Sequence, residues 1–521
     1  MTRTIPASVA KAAIHGGDEV AFLDLREAGP ISMGHPLFAV PCPFSVLELR
    51  VGALVPRQDA PILLLDDGDG VGALAAERLA EMGYGDVAVI EGGARGWEAA
   101  GYTLFKGVNV PCKLLGELVG ETRAPKRIGP DELARWQAEG RDFAFYDCRP
   151  RSEFAKMTVP GTACLPNGEI AHRLPAAARP GQPVLLTCAG RTRGLIGAVS
   201  LAEVAPEVEV YALENGTQGW ALSGRDLLRG NTPTAYPELD DSQREETAQR
   251  ARRFMADKGI PEIDSSGVRD LLADPARTTF LLDVRSSEEA RDDPLPAFAP
   301  ALSVQLVQAS DQWIGVRRAR VVLADDLGLR AAIAARWLRA LGFDARVLRI
   351  DAAARAIPRR AVPAPHPVLC EEIDAKAALE RSARGGVRWI DVRSSDAYRA
   401  GHVAGAAWAL RTDRDVLRGG AEAVILIGDG SGRAELIAGD LTRNGAGGDV
   451  ACVRGGHDAL VAAGAAVQAT PDQPPELASP DVTWFAHGRH DGDLDASRTY
   501  LDWEVGLEHQ LDAEERAEYA L

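Results

Sequence analysis

The chain has 521 residues, of which 46% are hydrophobic and 26% are charged, and its formal net charge is −17. At about 100–200 residues per domain, this length predicts three to five domains. The negative charge argues against nucleic acid or an anionic membrane surface as the main partner, because both would repel it.

The N-terminal segment comes first in chain order. Its sequence, MTRTIPASVAKAAIHGGDEV, lacks the continuous apolar core of a signal peptide. No stretch of the chain approaches about 18 uninterrupted apolar residues, so the sequence predicts no membrane span. The seven cysteines form no C-x-x-C pair and no metal-ligand spacing with the nine histidines. We therefore expect a cytoplasmic protein with reduced thiols.

One pattern recurs about every 110–130 residues along the chain, and each copy begins with a strand that ends in Asp-x-Arg. A second apolar strand, a turn of small residues, a helix and a third strand follow in each copy. The four pairs are Asp24 and Arg26, Asp147 and Arg149, Asp283 and Arg285, and Asp391 and Arg393. Because the pair recurs in every copy, we expect Asp147 and Arg149 to have a structural role near the site.

The alternation of short apolar strands with helices predicts an α/β fold with parallel sheets. We expect four tandem domains, each a small parallel sheet flanked by helices, and a C-terminal tail that contains a helix. The predicted ranges are 1–105, 125–232, 259–357 and 366–470 for the domains and 471–521 for the tail. Residues 106–126, 233–258 and 358–366 are interpreted as linkers, and the segment ELDDSQREETAQRARRFMADKG as a charged, solvent-exposed helix. Below, repeats 1 to 4 are the four predicted domain ranges.

The junction between the second strand and its helix differs among the repeats. Its first position is occupied by Cys188 in repeat 2, within LLTCAGRTRGLIG, and in the other repeats by Asp66, Asp325 and Gly428. Functional groups lie at the carboxyl ends of parallel strands, and a helix N-terminus attracts anions. Arg191 and Arg193 add positive charge, so these features together favour the thiolate form of Cys188.

Together these features resemble the rhodanese family of sulfurtransferases. The resemblance rests on the Asp-x-Arg strands, the cysteine-initiated loop before a helix, and the later elements NGTQGW and GGARGW, and it extends to about residue 470. It implies one catalytic domain, in repeat 2, and three inactive ones. It also implies that Cys188 is the catalytic residue and that the rest of its loop binds substrate, namely Ala189, Gly190, Arg191, Thr192, Arg193 and Gly194.

The resemblance implies a transfer of sulfur in two steps. The Cys188 thiolate attacks the outer sulfur of thiosulfate or of a low-molecular-weight persulfide, and it becomes a persulfide. A thiol or cyanide then accepts the terminal sulfur, and the resemblance implies that no metal or organic cofactor is needed. Family members that use thiosulfate often have a basic residue where this chain has Ala189, and Arg191 is a candidate for supplying that charge.

Residues present only around repeat 2 are further candidates for the substrate pocket. The segment PNGEIAHR has no counterpart in the other repeats, and it supplies Asn167, Glu169 and Arg173. Cys148, between Asp147 and Arg149, is a conceivable resolving thiol, although a small buried core residue is the simpler interpretation.

Two other functions stay open at this point. A cysteine phosphatase or an arsenate reductase would resemble the same fold, but the phosphatase loop is Cys-x5-Arg, whereas Cys188 to Arg193 is Cys-x4-Arg. A non-enzymatic scaffold or persulfide sensor would instead use the four domains to dock partners. Homodimerisation through the C-terminal helix is also left open.

Overall fold

The computed structural model describes residues 2–364, 370–418, 423–443 and 449–521. Each repeat contains one parallel sheet with helices packed around it, which confirms the predicted α/β class. The predicted start of repeat 4 at residue 366 lies outside the described residues. Within the described part of the chain, no helix is both long enough and apolar enough to span a bilayer.

Repeat 1 contributes the first sheet. Its strands are β1 (Arg3–Ile5), β2 (Val20–Asp24), β3 (Val40–Pro41), β4 (Ile62–Leu65) and β5 (Val87–Ile90). Its helices are α1 (Ala7–Ile14), α2 (Ala28–Met33), α3 (Leu47–Leu54), α4 (Val71–Glu81) and α5 (Gly93–Ala99), with a 3-10 turn at Phe44–Val46. The strand order is β1-β5-β4-β2, and β3 pairs with β2 in parallel.

A helix, α6 (Val110–Arg123), forms within the predicted linker 106–126. Leu114, Leu115 and Leu118 are buried at helical spacing, so this segment packs as part of the fold.

Repeat 2 contributes the second sheet. Its strands are β6 (Arg127–Ile128), β7 (Ala144–Asp147), β8 (Met157–Thr158), β9 (Ala163–Cys164), β10 (Val184–Thr187), β11 (Val210–Leu213) and β12 (Leu228–Arg229). Its helices are α7 (Pro130–Ala138), α8 (Arg151–Lys156), α9 (Glu169–Ala177), α10 (Thr192–Val204) and α11 (Gly216–Leu222). The parallel order β6-β11-β10-β7-β9 puts the fully buried strand β10 at the centre, while β8 and β12 form a separate antiparallel pair. Trp220 lies in the core of this repeat.

The charged segment before repeat 3 forms the predicted helix, α12 (Asp241–Lys258), and the capping box of Asp240 and Gln243 starts it. The predicted solvent exposure is wrong for one face, where Thr247, Ala251, Phe254 and Met255 are buried. The strands of repeat 3 are β13 (Thr279–Asp283), β14 (Ala299–Pro300), β15 (Val316–Arg317), β16 (Arg320–Asp325) and β17 (Asp344–Arg349). Its helices are α13 (Ser265–Ala273), α14 (Ser287–Asp292), α15 (Ser303–Gln308), α16 (Leu329–Ala340) and α17 (Ala352–Arg355), with a 3-10 turn at Ser310–Gln312. The parallel sheet has the order β14-β13-β16-β17.

Repeat 4 contributes the fourth sheet. Its strands are β18 (Glu371–Ile373), β19 (Val387–Asp391), β20 (His402–Val403), β21 (Ala407–Trp408), β22 (Ala423–Ile427), β23 (Asp449–Val453) and β24 (Val467–Gln468). Its helices are α18 (Ala375–Ala383), α19 (Ser395–Ala400), α20 (Arg414–Arg418), α21 (Arg433–Arg443) and α22 (Gly456–Ala462). The parallel order is β18-β23-β22-β19-β21, and β20 pairs with β24 in a separate antiparallel pair.

The tail contains a 3-10 turn at Glu476–Ala478 and two helices, α23 (Leu494–Gly506) and α24 (Ala513–Ala517), with a 3-10 turn at Leu507–Gln510 between the helices. The sequence predicts one helical segment here, but the structure divides it. Asp512 caps a new helix by accepting a hydrogen bond from the Glu515 amide, which starts α24 separately.

The chain forms two compact units. The first contains Met1–Ala10, Phe22–Val108 and Val362–Phe485, and the second contains Lys11–Ala21, Asn109–Ala361 and Ala486–Leu521. Repeat 4 and repeat 1 apart from Lys11–Ala21 therefore belong to one unit, and repeats 2 and 3 belong to the other. The range predicted as a single tail, 471–521, is divided between the units after Phe485.

Candidate active site

Cys188 lies at the carboxyl end of the central strand β10, in the loop that leads into α10. Backbone amides at the start of α11 hold this loop, because Thr217 N donates to Cys188 O (2.8 Å) and Gln218 N donates to Ala189 O (3.1 Å). Gly216 makes this close approach possible. It has a φ of +52°, and an added Cβ would lie 2.2 Å from Cys188 O.

The same clamp occurs in repeats 1 and 4. There, Ala94 N donates to Asp66 O and His457 N donates to Gly428 O, at 2.8 and 3.0 Å. The NG and GG dipeptides of the sequence pattern thus have the same structural role in repeats 1, 2 and 4. They let the helix that follows the third strand hold the carbonyl of the loop's first residue.

The Cys188 side chain is 2% exposed, and its surroundings stabilise the thiolate. A hydrogen bond from the Cys148 thiol lowers the pKa of Cys188 most strongly, and burial opposes this effect. The positive charge of Arg193 and the backbone N–H of Gly194 lower it further, so that the pKa falls to about 7. Cys188 is therefore partly ionised near neutral pH, as a nucleophilic thiol requires.

Arg193 is fixed from two sides, which keeps its charge near Cys188. Its guanidinium binds both carboxylate oxygens of Glu153 at 2.6 and 2.8 Å, and its carbonyl accepts a hydrogen bond of 2.7 Å from Asn167 Nδ2. Burial alone would raise the pKa of Glu153, but Arg193 lowers it to about 2. Asn167, predicted to line the pocket, thus contacts the catalytic loop directly.

The other loop arginine is also paired. Arg191 Nε and Nη2 bind the carboxylate of Glu117 on α6 at 2.8 and 2.7 Å, and Arg191 Nη1 lies 3.4 Å from Asn215 Oδ1. Much of the charge that the sequence assigns to substrate binding is thus balanced by a carboxylate. A role for Arg191 in holding a donor stays a prediction.

The tail helix α23 packs on the loop that begins at Cys188. Thr192 Oγ1 donates to Glu504 Oε1 at 2.7 Å, and Lys113 Nζ lies 3.3 Å from the same oxygen. Glu504 Oε2 is buried and has no hydrogen-bond partner in the described part of the chain. A Cβ added to Gly190 would lie 2.9 Å from this oxygen and 3.2 Å from Tyr500 Cε1.

Sequence reasoning missed this contact, because the tail lies outside the repeated pattern. The tail sequence nevertheless contains a signal of a packed helix. Tyr500, Leu501, Glu504 and Leu507 share one helical face, and all four are buried. The spacing indicates a packed helix face, but it does not reveal what the face packs against.

The remaining pocket candidates, Glu169 and Arg173, lie in a buried ion-pair network. Arg173 Nε binds Glu169 at 2.7 Å, and Arg330 of repeat 3 binds the other Glu169 oxygen at 2.8 Å. Glu289 joins the same network through both arginines. Both Glu169 and Arg173 are thus engaged in ion pairs. That they line a donor pocket stays a prediction.

In repeats 1 and 3, a carboxylate occupies the position of the thiol. Asp66 accepts hydrogen bonds from the amides of Gly68 and Gly72, at 2.8 and 2.9 Å. Asp325 accepts from the amide and the guanidinium of Arg330, at 2.9 and 2.8 Å. Each carboxylate thus uses the loop donors that could otherwise bind an anion.

The predicted Asp-x-Arg ion pair forms in all four repeats. The shortest N–O distances are 2.6, 2.7, 2.8 and 2.7 Å in chain order, and each aspartate is at most 2% exposed. In repeat 2 the Asp147 carboxylate also accepts from Thr158 Oγ1 at 2.7 Å. The pair joins the end of the first strand to the segment after it, and a structural role for Asp147 and Arg149 stays a prediction.

One group of side chains in the described residues has the composition of a metal site. Ligand atoms of His172, Asp325 and Asp326 lie within 4.8 Å of one another. Arg330 binds both aspartates, at 2.8 and 2.7 Å, and places a positive charge among them. The group is therefore better suited to a guanidinium than to a metal ion.

Comparison with known proteins identifies relatives of this chain. The family model described as a rhodanese-like domain matches residues 6–100 and 129–223. The crystal structure of a thiosulfate sulfurtransferase from Pseudomonas aeruginosa is 34% identical, has a TM-score of 0.93, and covers 100% of this chain and 99% of that chain. Comparison with curated proteins gives no significant match.

Two further structures resemble smaller parts of the chain. The Alr3790 protein from Anabaena sp. is 25% identical over 20% of this chain and 84% of that chain, with a TM-score of 0.19. The BH2092 protein from Bacillus halodurans is 11% identical over 24% of this chain and 93% of that chain, also with a TM-score of 0.19.

Proposed function

Because this chain belongs to the rhodanese family, we propose that it is a sulfurtransferase that works through a persulfide on Cys188. The observation that carries the proposal is the setting of this thiol. It is buried at the end of the central strand, receives the Gly194 N–H and lies near the charge of Arg193, and its pKa is about 7. A thiolate stabilised in this way is a nucleophile at neutral pH.

The reaction consists of two displacements at sulfur. The Cys188 thiolate attacks the outer sulfur of the donor, the bond between that sulfur and the donor breaks, and the donor leaves with the electron pair. A thiol or cyanide then attacks the terminal sulfur of the persulfide and restores the thiolate. Arg193 and the N–H of Gly194 stabilise the negative sulfur in both states.

Two classes of donor fit the proposal. The similarity to a thiosulfate sulfurtransferase supports thiosulfate. The carboxylates of Glu117 and Glu504 reduce the positive charge around the loop, which supports a low-molecular-weight persulfide with less negative charge. The ratio of kcat/KM for the two donors distinguishes them.

The test is transfer of sulfur to cyanide by the wild-type chain and two cysteine variants. Cys188→Ser is expected to lose all measurable turnover with thiosulfate and with a persulfide donor, because it lacks the nucleophile. The matched control is Cys164→Ser, since Cys164 is a buried thiol of the same repeat whose Sγ contacts Arg149 O at 3.8 Å. Turnover that survives in Cys188→Ser would contradict the proposal.

We also propose that the four repeats are four rhodanese-like domains, with the predicted boundaries, and that repeats 1, 3 and 4 are inactive. This agrees with Asp66, Asp325 and Gly428 at the position of the nucleophile. A reducing cytoplasm is the proposed location, because the mechanism needs a free thiol. If Cys188 were inert toward every donor, the alternative of a scaffold would take precedence.

A further inference from the structure

The middle residue of Asp-x-Arg differs in the catalytic repeat. It is Leu25, Val284 and Val392 in repeats 1, 3 and 4, and Cys148 in repeat 2. All four side chains are at most 2% exposed, so the position belongs to the core of each repeat. The chain thus replaces an aliphatic core residue with a thiol only in the repeat that carries the nucleophile.

The two thiols face each other across neighbouring strands. Asp147 of β7 is in register with Thr187 of β10, and Cys148 and Cys188 are the next residues of the two segments. Cys148 N donates to Thr187 O at 2.9 Å, which continues the parallel ladder to this point. Each of the two thiols shifts the pKa of the other, and neither cysteine is in a disulfide.

The register of the two strands is compatible with the Cα separation of a disulfide. Residues in register on adjacent strands lie about 4.8 Å apart. Disulfides need Cα atoms about 4.4–6.8 Å apart. The 0% exposure of Cys148 also means that the partner within its reach is Cys188, and not a thiol from solution.

We propose that Cys148 is a resolving thiol that gives this protein a second activity, the release of hydrosulfide from the Cys188 persulfide. The inference rests on the proposed function, since it needs that persulfide. The Cys148 sulfur attacks Cys188 Sγ, an S–S bond forms between the two cysteines, and the bond from Cys188 to the outer sulfur breaks. The outer sulfur leaves as hydrosulfide with the thiol proton of Cys148.

The attack of Cys148 on the Cys188 persulfide needs no external oxidant or reductant. The outer sulfur is reduced to sulfide, and the two cysteine sulfurs are oxidised to a disulfide. Arg193 and the Gly194 N–H, which face Cys188, are placed to stabilise the departing anion. Burial raises the pKa of Cys148, so this thiol keeps its proton until the transfer takes place.

A complete cycle needs a reduced dithiol to open the disulfide. The second activity therefore consumes a sulfane donor and a dithiol reductant, and it yields sulfide. A thiol or cyanide acceptor competes with Cys148 for the same persulfide. The balance between these acceptors decides whether sulfur is passed on or released.

The test loads the full-length chain with thiosulfate or cysteine persulfide at about pH 9, where Cys188 is ionised, in the absence of an acceptor. Released hydrosulfide is measured together with the intact mass. Wild type is expected to release about one hydrosulfide per chain and to lose two hydrogen atoms, with a peptide map that links Cys148 to Cys188. Cys148→Val is expected to keep one added sulfur atom and to release no hydrosulfide.

Cys148→Val introduces the valine that repeats 3 and 4 carry at this position. If Cys148→Val fails to fold, Cys148→Ser serves as the second variant. Cys164→Ser is the matched control and should behave as wild type. A wild-type persulfide as durable as that of Cys148→Val, without hydrosulfide, would overturn the inference and leave the proposed function intact. If no variant gained sulfur from either donor, the proposed function itself would fail.

Discussion

At the scale of single residues, the low pKa of Cys188 depends on three neighbours from different parts of repeat 2. Cys148 follows β7, Arg193 lies in the first turn of α10, and the Gly194 N–H lies in the same turn. The loop itself could be predicted from the sequence, because its residues are consecutive. The contribution of Cys148 could not, because it depends on the register between two strands that are about 40 residues apart in the sequence.

The first prediction concerns the pH dependence of Cys188. Thiolate increases as pH rises through the pKa, so the rate of alkylation by iodoacetamide should rise with pH and reach half its plateau at about pH 7. In Cys148→Val the midpoint should shift upward, because the hydrogen bond from Cys148 is lost. Mass spectrometry of tryptic peptides measures the extent of alkylation, and hence the midpoint, in wild type and in Cys148→Val. A wild-type midpoint near the ordinary thiol value of 9.0 would contradict the account.

The other buried thiols provide an internal control. Burial raises the pKa of Cys42, Cys112 and Cys164 to about 12 in each case. These cysteines should remain unmodified under native conditions at the pH where Cys188 reacts.

At the scale of elements, two helices hold the catalytic loop. The start of α11 binds its carbonyls, and α23 covers Gly190 and Thr192. The sequence predicts both helices, and the NG and GG dipeptides mark the first of these contacts. The docking of α23 could not be predicted, because Thr192 and Glu504 are 312 positions apart and nothing in either segment specifies the other.

The second prediction tests the clamp formed by α11. Gly216→Ala should lower kcat by about 100-fold or more, because the new Cβ would collide with Cys188 O and displace the loop. Gly224→Ala is the matched control: its φ of +80° is also left-handed, but no atom lies within 4 Å of the added Cβ. Steady-state kinetics and circular dichroism compare the two variants. Equal losses of activity would show that backbone strain alone, and not the clamp, explains the effect.

The third prediction concerns the carboxylate of α23. Glu504 adds negative charge near Cys188, so Glu504→Gln should raise kcat/KM for thiosulfate by about tenfold, equivalent to one pKa unit of interaction. A zwitterionic persulfide donor should respond much less. Glu514→Gln, an exposed change of the same charge on α24, should have no effect on either donor. An equal response of both donors to Glu504→Gln would exclude an electrostatic selection of the donor.

At the scale of the whole molecule, one of the two compact units combines repeats that are not adjacent in the sequence. Repeats 1 and 4 share one unit, and repeats 2 and 3 share the other with residues 486–521. The sequence could reveal four copies of a pattern, because each copy is local. It could not reveal their pairing, which depends on contacts such as Glu169 with Arg330, 161 positions apart.

The fourth prediction tests that contact. Arg330 is fully buried and binds four carboxylates, those of Glu169, Glu289, Asp325 and Asp326. Arg330→Met leaves these charges without their shared partner, and it should lower the free energy of unfolding by about 3–5 kcal/mol. Arg346→Met, which removes a partly exposed pair with Asp344, should cost less than about 1 kcal/mol. Urea denaturation measures the free energy of unfolding of both variants. A loss in Arg330→Met as small as that in Arg346→Met would contradict the structural role of Arg330.

The most direct test of the account is the site and number of sulfur atoms that the chain acquires from a donor. The account predicts that brief treatment of Cys148→Val with thiosulfate or cysteine persulfide adds one sulfur atom per chain, and that peptide mapping places it on Cys188. The same treatment of Cys188→Ser should add none. Sulfur on another cysteine, or an equal gain in Cys188→Ser, would contradict the claim that repeat 2 alone carries the sulfur.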